Sequence, residues 1–264
     1  MNLNYPTNDA PATPEYVLAV LQDMHRQACQ FDPEVDSDAT LSFETTVAEW
    51  RKACDLVGWR ELGRAHNEMW GMNCSDAEWK GVLEPASQRH LSDVCQLIAR
   101  RTIHRIIRAA NIFGRECAPA GAFLTIRSLL QQAGVPAANI APSTPLAPFT
   151  RRYSPVFLGP ISRLAPGTLP PVRFRTPVYD AAIWGIFAAT ILFLAGGIAT
   201  ALFDQGYLFT IAGVLLFAFC YALSWFSARH VLPASVQFGD LKTFRDLAVV
   251  LARASESKTN ADPW

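Results

Sequence analysis

The sequence predicts an all-α chain in four parts: an N-terminal cytosolic helical domain, a proline-rich connecting region, a two-helix transmembrane hairpin and a short C-terminal helix. Three observations predict it. Two apolar runs, 181–203 and 208–228, carry no charge and are separated only by Asp204-Gln205-Gly206-Tyr207. Each matches the roughly 20 uncharged residues that cross a ~30 Å hydrocarbon core as a helix. Both are apolar all round, where a helix on a globular protein keeps a polar face. Upstream, apolar residues recur at helical spacing between cap signals. Between these regions, from Pro136 to Pro177, prolines are too dense for long regular helices. The chain therefore divides into a disordered leader (1–13), a helical domain (14–110), a helix plus the proline-rich region (111–177), the hairpin (178–230) and a cytosolic tail (231–264).

Composition narrows the function classes. The 23 basic and 23 acidic side chains among 264 residues cancel, whereas a dedicated nucleic-acid binder is strongly basic. The six cysteines are scattered with no Cys-x-x-Cys pair, which argues against a zinc ribbon or a disulfide framework and for reduced thiols in a cytosolic setting. Met1 to Pro14 has no basic-then-apolar pattern, so no signal peptide is expected and the first apolar run must itself direct insertion.

Thr13-Pro14-Glu15 opens the first helix with a cap, a proline at the first helical position and an early acid. It runs to about Cys29 with Tyr16, Val17, Val20, Leu21 and Met24 as its apolar stripe. The acidic loop 31–40 lacks the glycine and the terminal glutamate of a calcium loop and reads as a solvated linker. Thr46 to Trp70 reads as helix broken near Leu56-Val57-Gly58 and ended by Gly71, with its tryptophans as core. Ser75-Asp76-Ala77-Glu78 starts a short helix that Pro85 stops. His90-Leu91-Ser92-Asp93 leads into another, continuing through Arg100, Arg101, Arg105 and Arg108 as a solvated basic face over buried isoleucines. A further helix, Phe123 to Ala133, closes at Gly134, and Phe244 to Leu251 forms the last one before a polar tail.

Arg163, Arg173 and Arg175 precede the first apolar run and Arg229, Lys242 and Arg245 follow the second. Positive charge stays on the cytoplasmic side, so two spans in the plasma (inner) membrane with both termini cytoplasmic are expected. The small residues Ala188, Ala189, Ala195, Gly196, Gly197, Ala199 and Gly213 permit close helix contact within the hairpin or a homodimer through it. Neither run holds an ionisable residue, which leaves an ion path without a candidate.

Residues 14–100 follow the order of a four-helix carrier domain. Trp70-Gly71-Met72-Asn73-Cys74-Ser75-Asp76 and Leu91-Ser92-Asp93-Val94-Cys95-Gln96-Leu97-Ile98 resemble two sequence patterns of the acyl-carrier-protein family. The resemblance covers about a third of the chain. It implies a helical bundle that presents its second helix to partners, with a serine in Asp-Ser-Leu carrying phosphopantetheine. The matching place reads Cys54-Asp55-Leu56-Val57, with no serine, and Asp36-Ser37-Asp38 lies in the preceding loop, which implies that carrier function is lost. Residues 126–146 are similar to such a domain's first helix and loop, and 236–247 to its ending. Pairing His90–Arg100 with Thr243–Arg253 matches Asp93 to Asp246 and Arg100 to Arg253. A second carrier-like unit, built from 120–150 and the tail and interrupted by the hairpin, competes with chance similarity of two amphipathic helices.

No chemistry is written in the motifs. The five histidines share no metal-ligand spacing, and there is no Gly-x-Ser-x-Gly, His-Glu-x-x-His, phosphate-binding glycine loop or dinucleotide fingerprint. No catalytic, cofactor or metal residue is assigned. The expectation is a non-enzymatic, membrane-anchored protein whose helical domain binds another protein as an interaction or scaffold module, with the bilayer as its other partner and no nucleic acid. Because the resemblance implies a second helix presented to partners, Arg60, Arg64 and Glu68 are the candidate interface, against the plainer reading of a solvated helix face. Two alternatives stand beside it. One is a membrane-tethered acyl or peptidyl carrier modified at an unidentified serine. The other is an accessory subunit of a membrane-surface lipid enzyme.

Overall fold

The computed structural model describes the backbone of residues 9–175, 177–203, 207–229 and 235–261, and side chains at 9–173, 183–198, 210–223, 225 and 236–255. Two compact units emerge: one holds the chain up to Arg173 and again from Gln237, the other runs from Phe174 to Val236.

The first unit begins with a bundle of five helices: α1 (Pro14–Ala28), α2 (Val47–Ala53), α3 (Trp59–Trp70), α4 (Asp76–Leu83) and α5 (Leu91–Arg101). Local chemistry sets their ends. Thr13 Oγ1 accepts from the Tyr16 amide at 3.2 Å, and reciprocal capping boxes open α2 (Thr46 with Glu49) and α4 (Ser75 with Glu78). Gly71, at φ 64°, closes α3 in the left-handed region that glycine enters without strain. Inside, Val17, Leu21, Trp50, Trp79, Leu83, Leu91 and Ile98 form one apolar cluster. Asn67 ties α3 to the next turn: its side chain donates to Cys74 O (2.8 Å) and accepts from Cys74 N (3.1 Å) and from the Trp79 indole (3.1 Å).

The same unit contains a second arrangement, in which α6 (Ala118–Gln132) packs against α11 (Phe244–Ala261). Its core holds Ile126, Leu130, Phe157, Ile161, Phe238, Phe244, Leu247 and Leu251. The bonds that seat α11 correspond to those that seat α5. Around α5, Val47 N donates to Arg89 O (2.8 Å), Leu91 N to Thr45 O (2.9 Å) and Ser92 N to Phe43 O (3.1 Å). Around α11, Leu146 N donates to Lys242 O (2.9 Å), Phe244 N to Thr144 O (3.2 Å) and Arg245 N to Pro142 O (2.7 Å). The turns agree as well: Ser42 N donates to Thr45 Oγ1 (2.8 Å) and Ala141 N to Thr144 Oγ1 (2.9 Å). Asp93 and Asp246 each accept the amide three residues earlier. Where α2 to α4 stand in the first bundle, the second has α7 (Ala147–Arg152), α8 (Ser154–Val156) and helical turns at Phe157–Ile161 and Ser162–Leu164.

Gly121 lets the chain before α6 lie against that helix, since a Cβ there would strike the carbonyl of Arg108 and meet Ala110 N at 3.1 Å. Backbone cannot swing aside as a side chain can. Gly121→Ala should therefore destabilise the unit by roughly 1–3 kcal/mol despite alanine's better helix propensity. Urea unfolding checks it, and an unchanged midpoint would refute the close approach.

The all-α reading needs correction. Among the described residues there are three two-stranded sheets: β1 (Asp9–Pro11) with β2 (Ile103–Arg105), β3 (Ala110–Ile112) with β4 (Arg115–Cys117), and β5 (Val172–Arg175) with β6 (Ser235–Phe238). The helix expected through Arg108 stops at Arg101, because Thr102 turns extended (φ −127°, ψ 149°) and β2 pairs antiparallel with β1. Strand β1 lies in the stretch read as a disordered leader; residues 1–8 lie outside the described residues. Phe113 (φ 50°) and Gly114 (φ 80°) supply the two positive-φ positions of a two-residue hairpin turn joining β3 to β4.

The transmembrane reading is corrected too. The apolar runs do form helices, α9 (Pro177–Phe203) and α10 (Tyr207–Arg229), packed on each other with Ala189, Gly213 and Cys220 buried. Among the described residues, however, no helix is long and apolar enough to cross a membrane. The two spans at 181–203 and 208–228, the membrane anchoring and the inner-membrane location with cytoplasmic termini are withdrawn on that finding. The turn 204–206 lies outside the described residues. Trp184, Phe187, Ile191 and Leu194 remain exposed on α9.

Candidate functional site

Helix α3 buries Leu62, Gly63, His66 and Trp70 and turns the opposite face to solvent. Arg60, Arg64 and Glu68 are all exposed and share that face, so the fold brings the three sequence candidates together. The Arg60 guanidinium sits 5.0 Å from the centre of the Trp59 ring, which steadies one end of the strip. Cys54 to Val57 form the link between α2 and α3, with Asp55 at φ 45°, and the long helix itself starts at Gly58-Trp59. Neither place offers a hydroxyl. Ser37 is exposed in its loop, which is pinned to the end of α2 by Asp36 N donating to Ala53 O at 2.8 Å.

The Cys29–His25 contact is not set up as a nucleophile–base pair. Cys29 Sγ lies 3.6 Å from His25 Nε2, but that nitrogen also sits 2.9 Å from the Asp36 carbonyl oxygen. A carbonyl accepts only, so Nε2 carries the proton and is no base toward the thiol. Burial raises the thiol pKa further. His66 lies between Trp50 (ring centres 5.7 Å apart, tilted at 37°) and Trp79 (5.6 Å, stacked at 26°). Among the described residues, no three His, Cys, Asp or Glu side chains are grouped to hold a metal.

Sequence reading missed the polar side of α1. Asp23 is buried, accepting from Arg26 Nη2 at 2.6 Å and from Ser162 Oγ at 2.9 Å. Arg26 also donates to Leu169 O (2.7 Å), and Gln27 Oε1 accepts from Val172 N (2.8 Å). These bonds fasten α1 to residues 162–172 along a seam.

At one end of the seam lies a cavity of about 200 Å³, bounded by Tyr16, Trp70, Thr102, His104, Arg105 and Arg163 among others. Tyr16 stacks on His104 (centres 4.4 Å apart, 26°) and donates its hydroxyl to Arg163 O at 2.9 Å. Burial pushes the Tyr16 pKa up to about 12 and lowers that of Arg163. Arg163 lies over the Trp70 ring at 5.0 Å and donates from Nη1 to Met69 O at 2.9 Å. No sequence signal pointed here: Tyr16 and Arg163 are 147 residues apart.

Compared with known proteins, the chain matches no family model, no curated protein and no solved structure. The acyl-carrier resemblance therefore rests on the residues of this chain alone.

Proposed function

We propose that the protein is a non-enzymatic interaction module built from two carrier-like helical units, with the exposed face of α3 as its protein-binding surface. The observation that carries this reading is α3 itself. It is the helix that the resemblance assigns to partner recognition, it displays Arg60, Arg64 and Glu68 to solvent, and its start holds no hydroxyl for a prosthetic arm. The corresponding bonds around α5 and α11 support a second unit of the same descent, in which the second to fourth helices are reduced to short turns.

A benzophenone amino acid placed at Arg64 and photolysed in cells should give one discrete protein adduct, which the same probe at exposed Lys80 on α4 should not give. Arg60→Glu should reduce that adduct by about tenfold, the scale of losing one charge-assisted contact. Equal labelling from both positions, or none from Arg64, overturns the reading. A second reading, a carrier modified at a displaced serine, is favoured by the pinning of the Ser37 loop beside the α2–α3 link. Intact mass after co-expression with a broad phosphopantetheinyl transferase separates the two. The interaction module stays unmodified, and a carrier gains the arm, lost again in Ser37→Ala.

A further inference from the structure

The polar lining of the cavity beside Tyr16 is rich in donors. Trp70 is nine-tenths buried, yet its indole N–H has no hydrogen-bond partner, and neither Arg163 Nε nor the Thr102 hydroxyl has one. Buried polar atoms are paired in the great majority of cases, so three orphans around one cavity mark a place where a partner is missing. Indole and guanidinium nitrogens donate and never accept. The carboxylate that does reach the cavity, Asp9, is engaged by Arg105 at 3.4 Å. The Tyr16 hydroxyl is spent on the Arg163 carbonyl.

Charge points the same way. Arg163 is partly withdrawn from water with a carbonyl and an aromatic face as its neighbours, and no carboxylate pairs with it among the described residues. A withdrawn cation without a counter-ion is costly, and a small anion entering the cavity would relieve that cost. The remaining wall is apolar, from Leu129, Pro160 and Leu164, with the stacked Tyr16–His104 pair beside it. The volume, about 200 Å³, is the share of roughly six or seven liquid waters, below that of drug-sized pockets.

We propose that this cavity binds a small ring-bearing monocarboxylate of about the size of benzoate, its charge against Arg163 and its ring against the Tyr16–His104 and Leu129 walls. The site is independent of the α3 face and makes the protein a receptor for a small acid as well as for a partner.

Benzoate titrated into the full chain should shift the indole N–H resonance of Trp70, assigned by its loss in Trp70→Phe, with saturation. Benzamide, of the same shape without charge, should bind at least about tenfold more weakly, as should benzoate to Arg163→Gln. Because Arg163 also holds Met69 and that variant risks unfolding, Leu129→Phe provides the second arm. It fills the apolar wall, leaves the donors in place and should abolish the shift in a protein that melts normally. Absence of saturable binding, equal affinity for benzamide, or undiminished binding to folded Leu129→Phe each overturns the assignment.

Discussion

Trp79→Ala should lower the stability of the first helical bundle by about 3–5 kcal/mol, the cost of emptying a well-packed aromatic site. Trp79 is 1% exposed, and the α3 side of its pocket is so close that a Cβ on Gly63 would stand 2.7 Å from the indole. That contact leaves little freedom for α3 to collapse into the hole. The loss is compounded at Asn67, whose Oδ1 accepts from the indole and from Cys74 N. Trp79→Phe keeps most of the volume and leaves the Cys74 bond, so it should cost about 1–2 kcal/mol. Urea unfolding of both variants tests the ordering. If the alanine variant were no weaker than the phenylalanine one, Trp79 would not be the keystone of α3 and α4.

Acidification should weaken the wild-type protein through His66. This imidazole is 2% exposed between two indoles, its Nδ1 has no partner, and burial lowers its pKa from 6.5 to about 4. The unfolded chain therefore takes up the proton first as pH falls. The neutral-histidine contribution is whole above pH 6.5 and is lost progressively toward pH 4. A depression of that size corresponds to about 3 kcal/mol. His66→Leu should have a flatter stability profile across that window, and parallel profiles for the two proteins would sink the assignment. Thermal melts at pH 7, 6, 5 and 4.5 measure it.

Much of the helical framework was legible because short-range chemistry writes it. Thr13-Pro14, Ser75 with Glu78, Gly71 and Gly134 mark helix ends through bonds made within three or four residues. Arg60, Arg64 and Glu68 were named from the carrier resemblance, which presents the second helix to partners, and all three are exposed. Strands of three or four residues have too short a period to see, and β1 is defined by a partner about ninety residues away. The seam residues Asp23 and Gln27 drew no reading because sequence does not say what a polar face meets; here it meets Ser162 and Val172. The apolar runs named their helices correctly. Lack of charge says that a segment avoids water, not what covers it, and the membrane spans were inferred from that alone.

The pairing of α6 with α11 also has a meaning in time. On the ribosome the first bundle is complete once α5 has emerged, and its core can close at once. Helix α6 emerges soon after, but more than a hundred residues separate its end at Gln132 from Phe244. At about 5–20 residues per second the wait lasts several seconds to about twenty. Throughout that interval Ile126 and Leu130 have no α11 to cover them, while the apolar helices α9 and α10 are also being made. Nascent chains of this protein should therefore depend on chaperones late in synthesis, and a ribosome stalled before Phe244 should release a species prone to aggregation.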